Sequence, residues 1–388
     1  MMATPTIVRQ INELETLRAL RDRAPMTRAD VARQLGVTKS TITKVIAGLV
    51  DAKLVSEDAT AFEETTRIGR PGTYLRLNPD GAYFAGAEIG VDRLSLVLLD
   101  LTAQAVASRS RVFDTPNASP EDALDQIKAT LTAVCRENRL PLAKIAGLCV
   151  SVPGFVGADS VLISAPKVGW RNVPMKQLLD RRFATPTAVE NDANVSAFAE
   201  WYLTPALRNN EILFILLESG VGGGLIASGK LVRGAHGLAG EVGHMPVAYS
   251  EFDGYRPAPL AWEETIGKAG LLKAYANRGG KLLSIAGLRD AIRAEEAAAV
   301  DIAATWARWL ARGIATLVFA HDPDTVVIGG ELASIFAEVS LLIDKELASM
   351  LPDRFPAPRL IASRFLSDGC AIGGAAVMHA ARFSEAPN

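Results

Sequence analysis

Two short runs hold the groups most able to do chemistry. Glu190-Asn191-Asp192-Ala193-Asn194 gathers carboxylates and amides, and Glu241-Val242-Gly243-His244 sets an acid and an imidazole three residues apart. Such groups accept from and donate to hydroxyls, so together they suit a polyol or sugar, which presents hydroxyls on several sides. A third run, Ser219-Gly220-Val221-Gly222-Gly223-Gly224, follows the apolar stretch Ile212–Leu217. It reads as a glycine loop after a buried strand, where backbone N–H groups can approach a ligand and φ can turn positive. Taken singly, each run has a plainer reading. Asn191 and Asp192 precede a helical stretch and suit its cap, and a glycine-rich turn needs no ligand. It is their combination that points to a site.

The elements that must position these groups follow from periodicity. Ile7, Ile11, Leu14, Leu17 and Leu20 fall on one face of a predicted helix that Pro25 ends. Thr27 caps a second helix with Asp30 at its third position. Gly36 turns the chain, and Thr38 caps a third helix with Ile42, Val45, Ile46 and Leu49 facing inward. Short helix, glycine turn, short helix is the helix-turn-helix pattern. Lys39, Ser40, Thr41, Thr43 and Lys44 cluster with Thr38 at the N-terminal half of the third helix, where side chains can reach base edges or phosphates. Two short strands follow, and the polar segment between them ends in Arg67-Ile68-Gly69-Arg70-Pro71-Gly72. This reads as a wing, with Arg70 placed to enter a minor groove. Residues 1–80 carry 12 Lys/Arg against 10 Asp/Glu, so a single copy is expected to hold DNA weakly and a dimer to supply the missing phosphate contacts.

Beyond Asn78-Pro79-Asp80-Gly81, strands at 83–89, 94–101 and 105–112 precede alternating helices and strands. A second half repeats the theme from Ile212 onward. The expected fold class is α/β: residues 1–80 form a winged helix-turn-helix, and residues 81–388 form two lobes, roughly 81–200 with the C-terminal helix and 201–370, around a cleft.

Composition bounds the answer. The 388 residues are 49% hydrophobic and 22% charged with formal net charge -2, which suits a globular chain without a global basic footprint. Cys135, Cys149 and Cys370 lie far apart in apolar settings, which argues against a disulfide framework and suits a reducing cytoplasm. No signal-peptide order or membrane-length apolar run stands out, so a soluble chain with no membrane partner is expected.

These motifs together resemble the ROK proteins, a family of repressors, open reading frames and kinases. The resemblance spans nearly the whole chain and is carried by GRPGTYLRLNPDG at the linker, SVPG at 151–154, ENDAN at 190–194, GVGGGLIASGKLVRGAHGLAGEVGH at 221–244 and VVIGGELA at 326–333. It implies an actin-like, sugar-kinase type ATPase fold, and the attached winged helix implies the repressor branch, with dimers or tetramers. Its sugar contacts fall on Asn191, Asp192, Glu241, His244 and Glu263. Asp192 matches the kinases' catalytic base, which takes a proton from the attacking hydroxyl.

The sequence departs from that pattern twice. Family kinases open the domain with an Asp-x-Gly-Gly-Thr turn that holds phosphate and magnesium; here the stretch is Glu88-Ile89-Gly90-Val91-Asp92. The second phosphate loop, Gly-Thr-Gly in the family, is Glu218-Ser219-Gly220. Gly90, Ser219, Gly220, Gly222 and Gly223 are thus remnants of phosphate loops. Glu218 adds charge where triphosphate oxygens would approach, at roughly 4 kcal/mol per like-charge pair about 4 Å apart in an effective dielectric near 20. ATP and Mg²⁺ binding are expected to be impaired or absent. The cysteine run that completes a structural zinc site in most relatives is replaced by residues 249–263, without cysteine. No zinc or other cofactor is expected, and Tyr249, Phe252, Tyr255 and Trp262 are expected to pack that segment.

The expected function is a regulator, most simply a repressor, that binds operator DNA through the winged helix and a sugar effector through the cleft. The alternative is an ATP-dependent sugar kinase with an appended DNA module.

Overall fold

A computed structural model describes residues 5–58, 73–249, 259–281 and 284–384. The N-terminal module runs α1 (Pro5–Arg23), β1 (Met26–Thr27), α2 (Arg28–Leu35), α3 (Lys39–Asp51), β2 (Val55–Asp58) and β3 (Tyr74–Leu77). Thr27 and Asp30 form a full capping box on α2, worth about 1 kcal/mol, and Gly36 closes that helix in the left-handed region at φ 66°. Thr38 caps α3 by accepting from the Thr41 amide at 3.2 Å. Ile42, Val45, Ile46 and Leu49 are buried as their spacing predicts, against Leu17, Leu20, Val31 and Leu75. Ile11 differs: it is 41% exposed, because the inner face of α1 begins only at Leu14. β3 pairs with β2, as the wing requires, and also with β1, which ties the wing to the start of α2. Arg70 and most of the wing lie outside the described residues.

The remaining chain forms two five-stranded sheets with matching topology. The first is built from β4 (Tyr83–Ile89), β5 (Arg93–Asp100), β6 (Ala105–Val112), α4 (Pro120–Glu137), β7 (Ile145–Val152), a small three-stranded flap of β8 (Phe155–Val156), β9 (Leu162–Ala165) and β10 (Trp170–Val173), then α5 (Met175–Arg182), β11 (Thr187–Asn191) and α6 (Asp192–Leu203). Its order is β11-β7-β4-β5-β6, an antiparallel hairpin pair continued by parallel strands. The second half runs β12 (Ile212–Leu217), β13 (Val221–Ala227), β14 (Lys230–Leu231), β15 (Pro246–Tyr249), β16 (Pro259–Ala261), α7 (Trp262–Ile266), α8 (Lys268–Asn277), α9 (Ile285–Arg293), α10 (Ala297–His321), β17 (Thr325–Gly329), α11 (Ala333–Met350), β18 (Arg359–Ala362) and α12 (Gly369–Ser384). Its order, β14-β13-β12-β17-β18, repeats the first. The inner strands are buried on both faces, which is why β4 and β12 read as continuous apolar runs.

Helices α6 and α12 lie between the sheets, and missing side chains allow them to. A Cβ on Gly373 of α12 would fall 2.0 Å from the Val195 carbonyl oxygen of α6, and one on Gly224 of β13 would fall 2.5 Å from the Ala197 Cβ. Backbone therefore meets backbone on both sides of α6. This corrects one expectation: the strand expected to open at Gly224 begins earlier, so Gly222 and Gly223 also belong to β13, paired with β12, and not to a loop. The turn is Glu218 to Gly220 alone. A Cβ at Gly222 or Gly224 would press on α6, and one at Gly223 would press on the Gly240 carbonyl and Val242.

Trp262 is fully buried and its indole donates to the Trp309 carbonyl at 3.1 Å, as expected of a packing residue. Phe252, Tyr255 and the Tyr249 side chain fall outside the described residues. The three cysteines are free and buried. Among the described residues, no helix is long and apolar enough to cross a membrane, and no group of three or more His, Cys, Asp or Glu could hold a metal ion.

Candidate functional site

A cavity of about 180 Å3 opens between the two halves, and Asn191, Asp192, Glu241, His244 and Glu263 all line it. Their positions come from three places in the fold. β11 delivers Asn191 and Asp192 at its C-terminal end, where α6 begins. The loop after β14 delivers Glu241 and His244, with Gly234, Gly237 and Gly240 at φ 72°, 82° and 95°. That loop is sewn onto β13 by the Gly223 amide donating to the Gly240 carbonyl at 2.7 Å. The first turn of α7 supplies Glu263.

The plainer reading of Asn191 is partly right. Its Oδ1 accepts from the Asn194 amide at 3.1 Å as the cap of α6, and its Nδ2 donates to the Gly154 carbonyl at 3.0 Å. The side chain is thereby fixed, with one donor and one lone pair left toward the cavity. Asp192 Oδ1 accepts from the Ala193 amide at 2.8 Å. Burial raises the Asp192 carboxyl to about 6, against the pull of that amide and with repulsion from Glu218. Burial likewise raises Glu241 to about 7, and Asp192 and Glu263 push it in the same direction. The three carboxylates therefore sense one another across a single space. His244 is exposed at the rim, its ring edge-on to Phe155 at 5.7 Å.

Sequence reasoning missed three residues. Phe155 supplies an apolar wall from the flap. Lys167, also from the flap region, donates to the Ser219 carbonyl and lies 3.5 Å from Glu263, so it crosses the cavity mouth from one half to the other. Arg93 stands behind Glu88 and Glu218. The faint signal for Lys167 was a lone cation in a Pro-Lys-Val-Gly turn; that for Arg93 was a charge at the inner start of an apolar strand.

The remnant phosphate turns differ in their use. Ser219, Gly220 and Gly222 line the cavity. Gly90 does not: its amide donates to the Arg93 carbonyl at 2.9 Å and its carbonyl accepts from Thr115 Oγ1 at 2.6 Å, closing a tight turn. Gly223 faces the loop at Gly240 instead.

The second candidate surface is the N-terminal half of α3. Lys39, Ser40, Thr43 and Lys44 are exposed there and Thr41 is half-buried. Ser40, Thr41 and Lys44 border a hollow shared with Arg9 and Asn12 of α1. The hydroxyl of Thr38 is engaged by Thr41 and Ser40, and that of Thr43 donates to the Lys39 carbonyl at 2.8 Å. Both threonines therefore hold the helix, and the lysines and Ser40 present its polar face.

The two surfaces are joined. Arg21 of α1 donates to the Tyr202 hydroxyl at 3.3 Å, and its guanidinium lies 5.0 Å from the Phe383 ring centroid. Tyr202 is the penultimate residue of α6. His379 of α12 donates from Nε2 to the Leu101 carbonyl at 3.1 Å, which leaves Nδ1 to accept from the Tyr202 hydroxyl at 2.9 Å. Arg208 and Asp22 add an ion pair at 3.8 Å.

The profile of the ROK family matches residues 84–381, and that of a helix-turn-helix domain matches residues 15–59. The chain is 24% identical over 353 residues to a xylose repressor of Bacillus spizizenii, covering 90% of this chain and 89% of that one. Among solved structures it is similar to a ROK family transcriptional regulator, homologous to the E. coli MLC protein, with TM-score 0.79 and 21% identity over 97% of both chains. It is also similar to a ROK family glucokinase from Streptomyces griseus in complex with glucose and AMPPNP, with TM-score 0.67 and 22% identity over 76% of this chain and 99% of that one.

Proposed function

The chain belongs to the ROK family, and on that premise we propose that it is a sugar-responsive transcriptional repressor. Operator DNA is held by α3 through Lys39, Ser40, Thr41 and Lys44, with Arg70 of the wing in the minor groove. The effector is a sugar or sugar derivative bound by Asn191, Asp192, Glu241, His244 and Glu263. Two copies pair so that two recognition helices meet adjacent half-sites.

The observation that carries this reading is the double attachment of α6. Its first residue, Asp192, lines the cavity, and its penultimate residue, Tyr202, carries the N-terminal module. A sugar that prefers one closure of the halves shifts α6, and α6 shifts the helix-turn-helix; a sugar that binds both closures equally does nothing. The likeness to xylose repressors over nearly the full length supports the same reading.

The test uses the full-length protein. A thermal-shift screen over monosaccharides and their phosphates identifies ligands, since binding to the native state raises Tm. Operator fragments selected from random DNA are then titrated with and without each ligand. If no sugar or sugar phosphate changes DNA affinity, the reading is wrong.

The competing reading is an ATP-dependent sugar kinase, and the retained Asp192 favours it. The altered phosphate turns weigh against it. A coupled ADP-release assay separates the two, because turnover abolished by Asp192→Asn would reverse the ranking.

A further inference from the structure

Arg93 opens β5 and faces both turns that the family resemblance assigns to nucleotide phosphate. Its Nη2 donates to Glu88 Oε1 at 3.2 Å and to the Ser367 carbonyl at 3.2 Å, and lies 3.7 Å from Glu218 Oε1. Glu88 belongs to β4 of the first half and Glu218 to the turn that follows β12 in the second. One guanidinium thus bridges the two halves at the inner end of the cleft. Its buried Nε finds no acceptor among the described residues, so the side chain is held by charge and not by a complete set of hydrogen bonds.

The carboxylates need that charge. Glu88 is 5% exposed; burial raises it to about 7, Glu218 and Asp192 add repulsion, and Arg93 opposes both. Glu218 is raised by burial too, again opposed by Arg93. Carboxylates in such a setting stay ionised near neutral pH when a cation pairs with them. The family resemblance implies that in the kinases this cation is a metal ion that arrives with the triphosphate. Here the chain brings its own.

We propose that Arg93 is a resident countercation that fills the phosphate-and-metal subsite from within, so that the cleft takes a polyol without a nucleotide. The side chain occupies the space between the two turns and pairs with both Glu88 and Glu218. A metal–nucleotide complex would have to displace a guanidinium already paired with two carboxylates. Arg93 is therefore the residue that separates a sugar-sensing cleft from a phosphotransfer cleft. This builds on the effector reading of the cavity, but its test does not use a sugar.

The test titrates Mn²⁺, with and without ATP, into full-length protein and follows the free Mn²⁺ resonance. Wild type should leave that signal unchanged into the millimolar range. Arg93→Met should bind Mn²⁺ at least tenfold more tightly than wild type, and the added change Glu88→Gln should remove the gain. An Arg93→Met chain that unfolds in buffer but is rescued by Mn²⁺ supports the inference equally. Wild type binding Mn²⁺–ATP as tightly as Arg93→Met overturns it, as does a variant that Mn²⁺ neither binds nor rescues. A protein that ignores every sugar yet passes this test loses the effector reading and keeps this one.

Discussion

Asp192 and Tyr202 stand at the two ends of one helix, the first in the wall of the interlobe cavity and the second under Arg21 of the N-terminal module. The 12-residue helix between them spans about 18 Å. Close approaches at Gly224 of β13 and Gly373 of α12 pack it on both sides, and the proposed coupling requires it to move as a rod.

Tyr202→Phe tests the rod at its far end. It keeps the ring and removes the hydroxyl that links Arg21 to His379. Operator affinity without sugar should change little. Coupling in such systems is about 1–3 kcal/mol, and the variant should lose about half of the sugar-induced change in operator affinity. Arg21→Ala should act in the same direction. An undiminished response measured by fluorescence anisotropy would exclude this route.

The cavity carboxylates predict a pH dependence. Burial holds Asp192 near 6 and Glu241 near 7, and an ionised carboxylate accepts a sugar hydroxyl more strongly than a neutral one. Sugar affinity should therefore rise from pH 5.5 to pH 8, and binding near neutrality should release protons. Calorimetry in two buffers of different ionisation heat reads the release; proton uptake would contradict it. Asp192→Asn and Glu241→Gln should each weaken binding by about 10–100-fold, equivalent to roughly 1.5–3 kcal/mol for a charged hydrogen bond.

His379 predicts a pH-dependent stability. Burial and the nearby Arg21 lower its pKa to about 4, against the Leu101 carbonyl that favours the proton. The unfolded imidazole titrates near ~6.5, so between these values the unfolded chain binds more protons and stability falls as pH falls. This contribution is intact above about 6.5 and is lost progressively toward 4. The difference in Tm between wild type and His379→Gln should narrow across that interval. A constant difference would show that His379 does not titrate on unfolding.

The lysines of α3 predict a salt signature. Lys39→Ala and Lys44→Ala should each reduce the slope of log affinity against log salt by about 1, as loss of one phosphate contact requires. Thr38→Ala should instead lower stability by about 1 kcal/mol through loss of the α3 cap, leaving the slope unchanged. Equal slopes for wild type and both lysine variants would move the DNA interface off this face.

Much of this was legible from residue order. Ile42, Val45, Ile46 and Leu49 repeat with helical period and are buried. β4, β6, β7 and β12 begin and end where their apolar or alternating runs do. The acid–amide and acid–imidazole pairs fall in one cavity as expected. Local rules sufficed because these features depend on near neighbours in the chain. Gly222 and Gly223 misled for the same reason: glycine reports that a side chain is forbidden but not whether a ligand or the protein itself forbids it, and here Ala193 of α6 and the loop at Gly240 and Val242 supply the obstacles.

The sequence by itself determined which residues could cap helices, fill cores and accept from hydroxyls, because those properties belong to side-chain chemistry and spacing. The tertiary structure alone decided that Lys167 would reach Ser219 across the cavity mouth, that Arg93 would stand between Glu88 and Glu218, and that Tyr202 would meet Arg21. Those partners lie 52 residues apart for Lys167 and Ser219 and 181 for Arg21 and Tyr202. Hydrogen bonding over such separations carries no local signature; it exists only once packing of the two halves around α6 and α12 brings the groups within reach and excludes the water that would otherwise solvate them.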